Sequence, residues 1–318
     1  MNNATSIPFV LAVCALFFLG NARADCTTTS GSASLGPVSS FSVYSTAQTT
    51  QASSGFSCTG SLLTLLSNNT ITASLASSSF ASATTPRLYS AATGEYTPYS
   101  VCKDASCSET YPIGHVIEWK STTFLGILGL FSAADGTLPL YIRTTPGANV
   151  AAGTYNDVLT ISWNWNLCSL GLLGLCVYDT GTRTSTLAVN MVVMKDCLIV
   201  SALDVDFGSA AFPSAFASVS GNIIAVQCTK NTPYSINLSG TNDLSNWRQM
   251  ASAQSGTTRY LQYQFSRPSG IIWTQYNDYA DNGTGLTQNI AYTATINGSQ
   301  APVPAGTYTD TVTITLTY

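Results

Sequence analysis

The sequence predicts an all-β protein built from two β-sandwiches, and three observations support this prediction. Short runs of alternating apolar and polar residues are separated by dense turn signals, and no long stretch has the 3.6-residue period of a helix. One motif occurs twice, as AGTYNDVLTISWNW at 152–165 and as AGTYTDTVTITLTY at 305–318. A pair of cysteines with nearly the same spacing also occurs twice, as Cys26/Cys58 and as Cys197/Cys228. The two repeats predict two domains that share one topology.

The composition argues against several classes of function. Charged residues make up only 8% of the chain and the net charge is −4, which disfavours nucleic acid or anionic lipid as a partner. His115 is the only histidine and no Cys-x-x-Cys motif occurs, so no metal site is predicted. No nucleophile can be matched with a base and an orienting acid. We therefore expect a protein that is not an enzyme and that needs no cofactor.

The first 24 residues are typical of a secretory signal peptide. A short apolar run at 8–20 is followed by Ala22-Arg23-Ala24, which fits a cleavage site. The run is too short to span a bilayer. We expect an exported chain that begins at Asp25.

Eight cysteines remain once Cys14 leaves with the signal peptide, and an even number in an exported chain predicts disulfides. Two of the predicted bridges follow the repeat, and two close short local loops. In the chain-entropy model each of the longer bridges contributes roughly 3–4 kcal/mol to stability. The spacing favours the pairs Cys26–Cys58, Cys102–Cys107, Cys168–Cys176 and Cys197–Cys228.

The first domain, residues 25–194, has the strand order of a complete immunoglobulin-like Greek-key sandwich. Its final strand, 184–194, alternates apolar residues with polar or small neighbours and supplies strand G. The earlier strands are predicted after Cys26 (A), before Cys58 (B), and at 71–75 (C), 115–120 (D), 138–143 (E) and 154–165 (F), with a hairpin at 102–107.

The second domain, residues 195–318, repeats this order but lacks strand G. Strand A is predicted at 197–207, followed by strands at 222–229, 234–238, 260–265, 271–275, 289–296 and 308–318. Without strand G, a groove opens between strands A and F, and its unpaired backbone groups invite a strand from another chain. The residues predicted to form this donor-strand groove are Leu198, Val200, Val312, Ile314, Leu316 and Tyr318.

The repeated cysteine pair, Phe207-Gly208 after strand A, the Tyr-rich hairpin and the terminal AGTYTDTVTITLTY motif resemble subunits of archaic chaperone–usher pili, the spore coat protein U domain family. The resemblance covers the second domain well and the first more loosely. It implies an immunoglobulin-like fold without strand G, which a periplasmic chaperone and later the next pilin subunit complete, with an outer-membrane usher assembling the fibre. Shaft subunits of that family carry a donor segment before their first cysteine, whereas Asp25 directly precedes Cys26. We therefore expect a subunit at the pilus tip, with residues 25–194 as its adhesin domain and 195–318 as its pilin domain.

Three apolar stretches of the first domain are the candidate surface-binding residues. The strand order places them in the B–C, D–E and F–G connections, which meet at one pole of such a sandwich. Buried strands are the alternative, but Gly126, Gly129, Gly171 and Gly174 suit turns better than core strands, and the matching loops of the second domain are polar. The candidates are Leu62, Leu63, Leu65, Leu66, Phe124, Leu125, Ile127, Leu128, Leu130, Phe131, Leu170, Leu172, Leu173 and Leu175.

Exposed apolar loops on an exported protein indicate an interaction site. The expected function is a tip adhesin that attaches to hydrophobic abiotic or host surfaces. The alternative is a structural minor pilin or coat subunit whose loops pack on a neighbour. The two differ in whether the loops are free in the assembled fibre.

Overall fold

A computed structural model describes residues 25–59, 68–122, 124–172, 175–254 and 256–318. Strands account for nearly all of its regular structure, which confirms the predicted all-β class. Two short helices occur in these residues, α1 (Ser40–Ser45) and α2 (Phe124–Leu128), together with a 3-10 turn at Pro213–Ala215. Among the described residues, no helix is both long and apolar enough to cross a membrane. The predicted signal peptide lies outside the described residues.

The chain divides into two compact units. The first comprises residues up to Pro37, Thr46–Ala148 and Thr154–Val192, and the second comprises Val38–Ser45, Asn149–Gly153 and Val193–Tyr318. The short helix α1 therefore belongs to the second unit, where the Ser40 and Thr229 hydroxyl groups are hydrogen-bonded at 2.6 Å. A domain boundary at residues 194/195 stays a prediction.

The first unit contains most of the strands. They are β1 (Asp25–Thr28), β2 (Gly31–Ser39), β3 (Thr49–Ser53), β4 (Phe56–Thr59), β5 (Asn69–Ser78), β6 (Arg87–Ser90), β7 (Glu95–Cys102), β8 (Thr110–Tyr111), β9 (Val116–Ser121), β10 (Pro139–Thr144), β11 (Gly153–Leu172) and β12 (Leu175–Met194). The main sheet has the order β12-β2-β3-β10-β7-β6-β11-β5-β9, and β12 pairs in addition with β11. In this unit β12 therefore pairs with both β2 and β11.

Strict alternation places the core of the first unit on one face of each long strand. In β5 the inward residues Ile71, Ala73 and Leu75 are fully buried, and in β12 Leu187, Val189 and Met191 are equally inaccessible. Successive side chains of a strand point to opposite faces, so the threonines and serines between them face outward.

The second unit contains two sheets around its own core. Its strands are β13 (Cys197–Ala202), β14 (Val219–Cys228), β15 (Pro233–Ser239), β16 (Arg248–Gln254), β17 (Thr257–Ser266), β18 (Tyr279–Asn282), β19 (Thr287–Ile296) and β20 (Thr313–Thr317). One sheet has the order β13-β14-β19-β17-β16 and the other β18-β15-β20. Both sheets contribute to the buried cluster, with Val226 and Ala294 from the first and Ile236 from the second. This arrangement is consistent with the predicted immunoglobulin-like sandwich.

Strand A of the second unit is shorter than the predicted 197–207. β13 ends at Ala202, which pairs with Ile224 of β14. The separate ladder between β14 and β19 is interrupted between Val219 and Asn222, where Gly221 has a φ of +80°. Residues 203–207 pair with no strand of the described part of the chain.

The described residues form four disulfides. Cys26–Cys58 and Cys197–Cys228 each join directly paired residues of neighbouring strands, β1–β4 and β13–β14. Cys102–Cys107 and Cys168–Cys176 close the two short loops of the first unit.

Candidate functional site

The two copies of the repeated motif differ in burial, and the difference marks a groove in the second unit. In the first copy Tyr155, Leu159, Ile161 and Trp163 are fully buried. Their counterparts Tyr308, Val312, Ile314 and Leu316 pack on the second core but remain partly exposed. β11 pairs with β5, β6 and β12, whereas β20 pairs only with β15 among the described residues. The second copy is thus uncovered where the first is covered.

The groove has a volume of about 420 Å³. Leu203, Val205 and Phe207, which follow β13, form one wall, and Val312 and Ile314 form the opposite wall. Core residues of both sheets, including Leu238 and Phe265, form the floor. An apolar floor between two free strand edges is the form that a missing strand leaves behind.

Of the six residues predicted to form the donor-strand groove, two line it. Val312 and Ile314 line the groove, whereas Leu198 and Val200 are exposed residues of β13, and Tyr318 is 55% exposed. Leu316 packs on the core without lining the groove. The lining residues that sequence reasoning missed are Leu203, Val205, Phe207 and Tyr308, although the alternation of Val205 and Phe207 with aspartates is a signal for an inward face.

Polar groups of the groove are acidic or hydroxylic. Asp204 and Asp310 line it, and no Lys or Arg is among the described lining residues. Tyr263 donates a hydrogen bond of 2.7 Å to Asp310 Oδ2. Burial and this carboxylate raise the pKa of Tyr263 well above its usual value, so its hydroxyl stays a donor. Nearby, the buried Arg248 and Asp243 form an ion pair at 2.9 Å.

A second candidate site lies at one end of the first unit, where β5 begins and β9 ends beside β11. Asn69, the first residue of β5, pairs with Ser121, the last residue of β9, and Thr70 pairs with Asn166 of β11. The Cys168 N–H donates a 2.7 Å hydrogen bond to Asn69 Oδ1. The described residues that flank the three apolar stretches, Asn69, Ser121 and Cys168, therefore lie at one end of the sheet, which we call the apolar pole.

An aromatic cluster lies in the core of the first unit next to these strand ends. The rings of Phe56 and Trp163 stack with centroids 4.5 Å apart, and Trp119 of β9 lies 6.2 Å from Trp163. Phe131, from the second apolar stretch, lies 6.1 Å from Phe56. The Trp163 Nε1–H is satisfied by Ser185 Oγ at 2.8 Å, which ties β11 to β12. Stacked pairs of this kind each add about 0.5–1.5 kcal/mol of stability beyond the burial of their rings.

The structure corrects one of the predicted binding residues. Ile127 is fully buried, because α2 packs against β5 and β9 and turns this side chain inward. Leu128, Leu130 and Phe131 are half-buried, and Phe131 contacts the aromatic cluster. Leu175, beside the tip of the β11–β12 hairpin, is 82% exposed.

The remaining predicted binding residues have no described side chain. Leu62, Leu63, Leu65, Leu66 and Leu173 lie outside the described residues, and only the backbone is described for Phe124, Leu125, Leu170 and Leu172. Their role stays a prediction. Among the described residues, no group of His, Cys, Asp and Glu is arranged as a metal site.

A family model for the Spore Coat Protein U domain matches residues 15–162 and 183–315. A search of curated protein sequences gave no significant match. Among solved structures, the chaperone–tip adhesion subunit pre-assembly complex CsuC–CsuE from archaic chaperone-usher Csu pili of Acinetobacter baumannii is similar, with 25% identity, a TM-score of 0.59, and coverage of 92% of this chain and 100% of that chain. The CupB6 tip adhesin from Pseudomonas aeruginosa aligns at 11% identity over 92% of this chain and 93% of that chain, with a TM-score of only 0.34.

Proposed function

Because the chain belongs to the Spore Coat Protein U domain family, we propose that it is the adhesive tip subunit of a chaperone–usher pilus. Its likeness to a chaperone-bound tip subunit supports a subunit of the pilus adhesin type, a class that is not enzymatic. The first unit binds the surface, and the second joins the fibre. The subunit is exported, is held by a periplasmic chaperone, passes an outer-membrane usher and ends at the pilus tip.

The observation that carries the fibre contact is the uncovered second copy of the repeated motif. In the first unit β12 covers the equivalent residues, and Leu187, Val189 and Met191 fill that space. In the second unit the corresponding apolar groove lies open between β13 and β20. A strand from the chaperone or from the next pilin subunit completes this sandwich by adding main-chain hydrogen bonds and apolar side chains.

The adhesive contact is assigned to the apolar pole. Two observations support this assignment: described residues flanking the three apolar stretches lie together there, and Leu175 of β12 exposes most of its side chain. Each leucine that leaves water contributes up to roughly 1.5–3 kcal/mol. Several such residues landing together hold a hydrophobic abiotic or host surface without a shaped pocket, and the bridged hairpin loses little conformational entropy on contact.

The test replaces three leucines of the β11–β12 hairpin with serine in a single variant and examines the assembled pili. We expect the Leu172→Ser/Leu173→Ser/Leu175→Ser variant to lose most of its attachment to polystyrene while surface display stays normal. Val116→Ser is the matched control, because Val116 is 55% exposed at the opposite end of β9 from Ser121. Attachment that is unchanged at normal display, or lowered equally by the control, would remove the adhesive role of the pole.

One observation favours the second candidate, a structural minor pilin whose loops pack on a neighbour. The second stretch already faces inward in part, since Ile127 is buried and Phe131 contacts Phe56. Labelling of the first unit in intact fibres separates the two functions. A label found only at fibre ends supports the adhesin, and a label along the shaft supports the minor pilin.

A further inference from the structure

We infer that the groove of the second unit selects a strand carrying a basic residue opposite Asp206, in addition to alternating apolar residues. This inference rests on the proposed function, because it specifies the strand that fills the proposed acceptor groove. It is derived from the first unit, in which a strand already occupies the equivalent place.

Asp206 and Ser34 hold equivalent positions in the two units. Gly36 and Gly208 have φ values of +71° and +72°. The Gly36 N–H donates to Ser34 Oγ at 3.3 Å, and the Gly208 N–H donates to Asp206 Oδ1 at 2.8 Å. The same turn, closed by the side chain two residues earlier, therefore follows strand A in both units.

In the first unit this position contacts the covering strand. Ser34 Oγ donates a 2.8 Å hydrogen bond to Asn190 Oδ1 of β12. Thr186 and Ser30 are hydrogen-bonded in the same way at 3.4 Å. From the Ser30–Thr186 contact to the Ser34–Asn190 contact, the residue number rises by four in both segments. The strands β2 and β12 therefore run parallel. A strand that fills the second groove in this manner places its copy of Asn190 beside Asp206.

The chemistry at this contact differs between the units. Ser34 can donate a hydrogen bond, but the carboxylate of Asp206 can only accept one. Its Oδ1 is bound to the Gly208 N–H, and Oδ2 has no partner within the described chain. Asp206 itself is exposed and lies beside the groove without lining it, whereas Asp204 and Asp310 line the groove, so the charge along it is negative. Lysine or arginine on the incoming strand satisfies Asp206 with a charge-assisted hydrogen bond, whereas an acidic residue there is repelled.

The experiment uses the full chain with a copy of residues 184–194 fused after Tyr318 through a flexible Gly/Ser linker. The copy carries Lys, Asn or Glu at the position of Asn190. We expect the thermal midpoint of the second unit to rise in the order Glu, Asn, Lys, with Lys and Glu about 1–8 °C apart at low salt. The Asp206→Ser substitution places at this position the hydroxyl group that Ser34 has in the first unit. It should abolish the Glu, Asn, Lys order of the thermal midpoints. High salt should reduce it.

A fusion with lysine at the copy of Thr186 is the matched control. Its neighbour in the first unit is Ser30, and the second unit has the uncharged Ala202 at that place. The thermal midpoint of this lysine fusion should not depend on whether residue 206 is Asp or Ser. If all three fusions stabilise equally, the selection by Asp206 is wrong while the acceptor groove stands. If none stabilises more than a scrambled fusion, both the inference and the proposed acceptor groove fail.

Discussion

At the scale of single residues, the two aspartates of the repeated motif have different surroundings. Asp157 is 1% exposed and accepts hydrogen bonds from Tyr99 Oη at 2.7 Å and Ser78 Oγ at 2.6 Å. Burial and the neighbouring carboxylate raise the pKa of Tyr99 far above its usual value, which keeps the phenol protonated. Asp310 is bound by Tyr263 in the same way but is only half-buried. The first unit thus has its hydrogen-bonded pair, Tyr99 and Asp157, in a closed core. The second unit has the corresponding Tyr263 and Asp310 in an open groove.

This difference predicts unequal costs for one substitution. Asp157→Ala leaves the buried Tyr99 hydroxyl and the half-buried Ser78 hydroxyl without this acceptor and should lower the free energy of unfolding by about 2–5 kcal/mol. Asp310→Ala is the matched control and should cost about 1–2 kcal/mol. Denaturant unfolding of the full chain, followed by tryptophan fluorescence, measures both. Equal costs would mean that the second motif is as buried as the first.

Ile127 provides the second residue-scale prediction. Ile127→Ala removes a fully buried side chain and should destabilise the first unit by about 2–4 kcal/mol. Leu175→Ala, at an 82% exposed position, should change stability by no more than about 0.5 kcal/mol. Thermal unfolding of both variants checks this. A neutral Ile127→Ala would return Ile127 to the set of exposed binding residues.

At the scale of elements, the sequence predicts strands better than it predicts their ends. Strict alternation identified strand G at 184–194, and β12 indeed contains it, but β12 begins as early as Leu175 because it first pairs with β11. The helix α2 was not predicted, since five residues with a central glycine carry no helical period. The burial of Ile127 depends on contacts of α2 with β5 and β9, which are remote in the sequence.

The disulfide Cys168–Cys176 should hold the end of the β11–β12 hairpin together. The double Cys→Ser variant should keep the core of the first unit folded, with loss of roughly 2–3 kcal/mol of local stability, and the hairpin amides should exchange faster with deuterium. Double substitution of Cys102 and Cys107 is the control, because that bridge closes another short loop outside the hairpin. Unchanged exchange at the hairpin would show that strand pairing alone fixes it.

At the scale of the whole molecule, the groove was predictable in outline because the motif recurs and its second copy has the same alternation of apolar residues. The walls of the groove were harder to predict, because β13 ends at Ala202 and one wall is formed by the unpaired residues that follow it. The inclusion of Val38–Ser45 in the second unit was not predictable either. It depends on contacts such as Ser40 to Thr229, which have no signal in the local sequence.

Hydrogen exchange of the full chain tests the difference between the units. The amides of β20 should exchange on the order of tenfold faster or more than those of the equivalent residues 160–164, because β11 is paired on both sides. Occupation of the groove by a strand should slow exchange in β20 and β13 and leave β11 unchanged. Equal protection of the two motifs before any strand is added would contradict an open groove.

The long strand β12 has a mechanical consequence. It runs without interruption from Leu175, beside the tip of the apolar pole, to Met194, just before the second unit's Cys197. Tension between a surface held at the pole and a fibre pulling on the second unit would therefore pass along one covalent backbone. The bonds of β12 to β2 and β11 lie across this direction and would be loaded in shear, so many must break together before the strand slides. In the proposed tip subunit, the first unit would therefore resist a force that pulls Leu175 and Met194 apart.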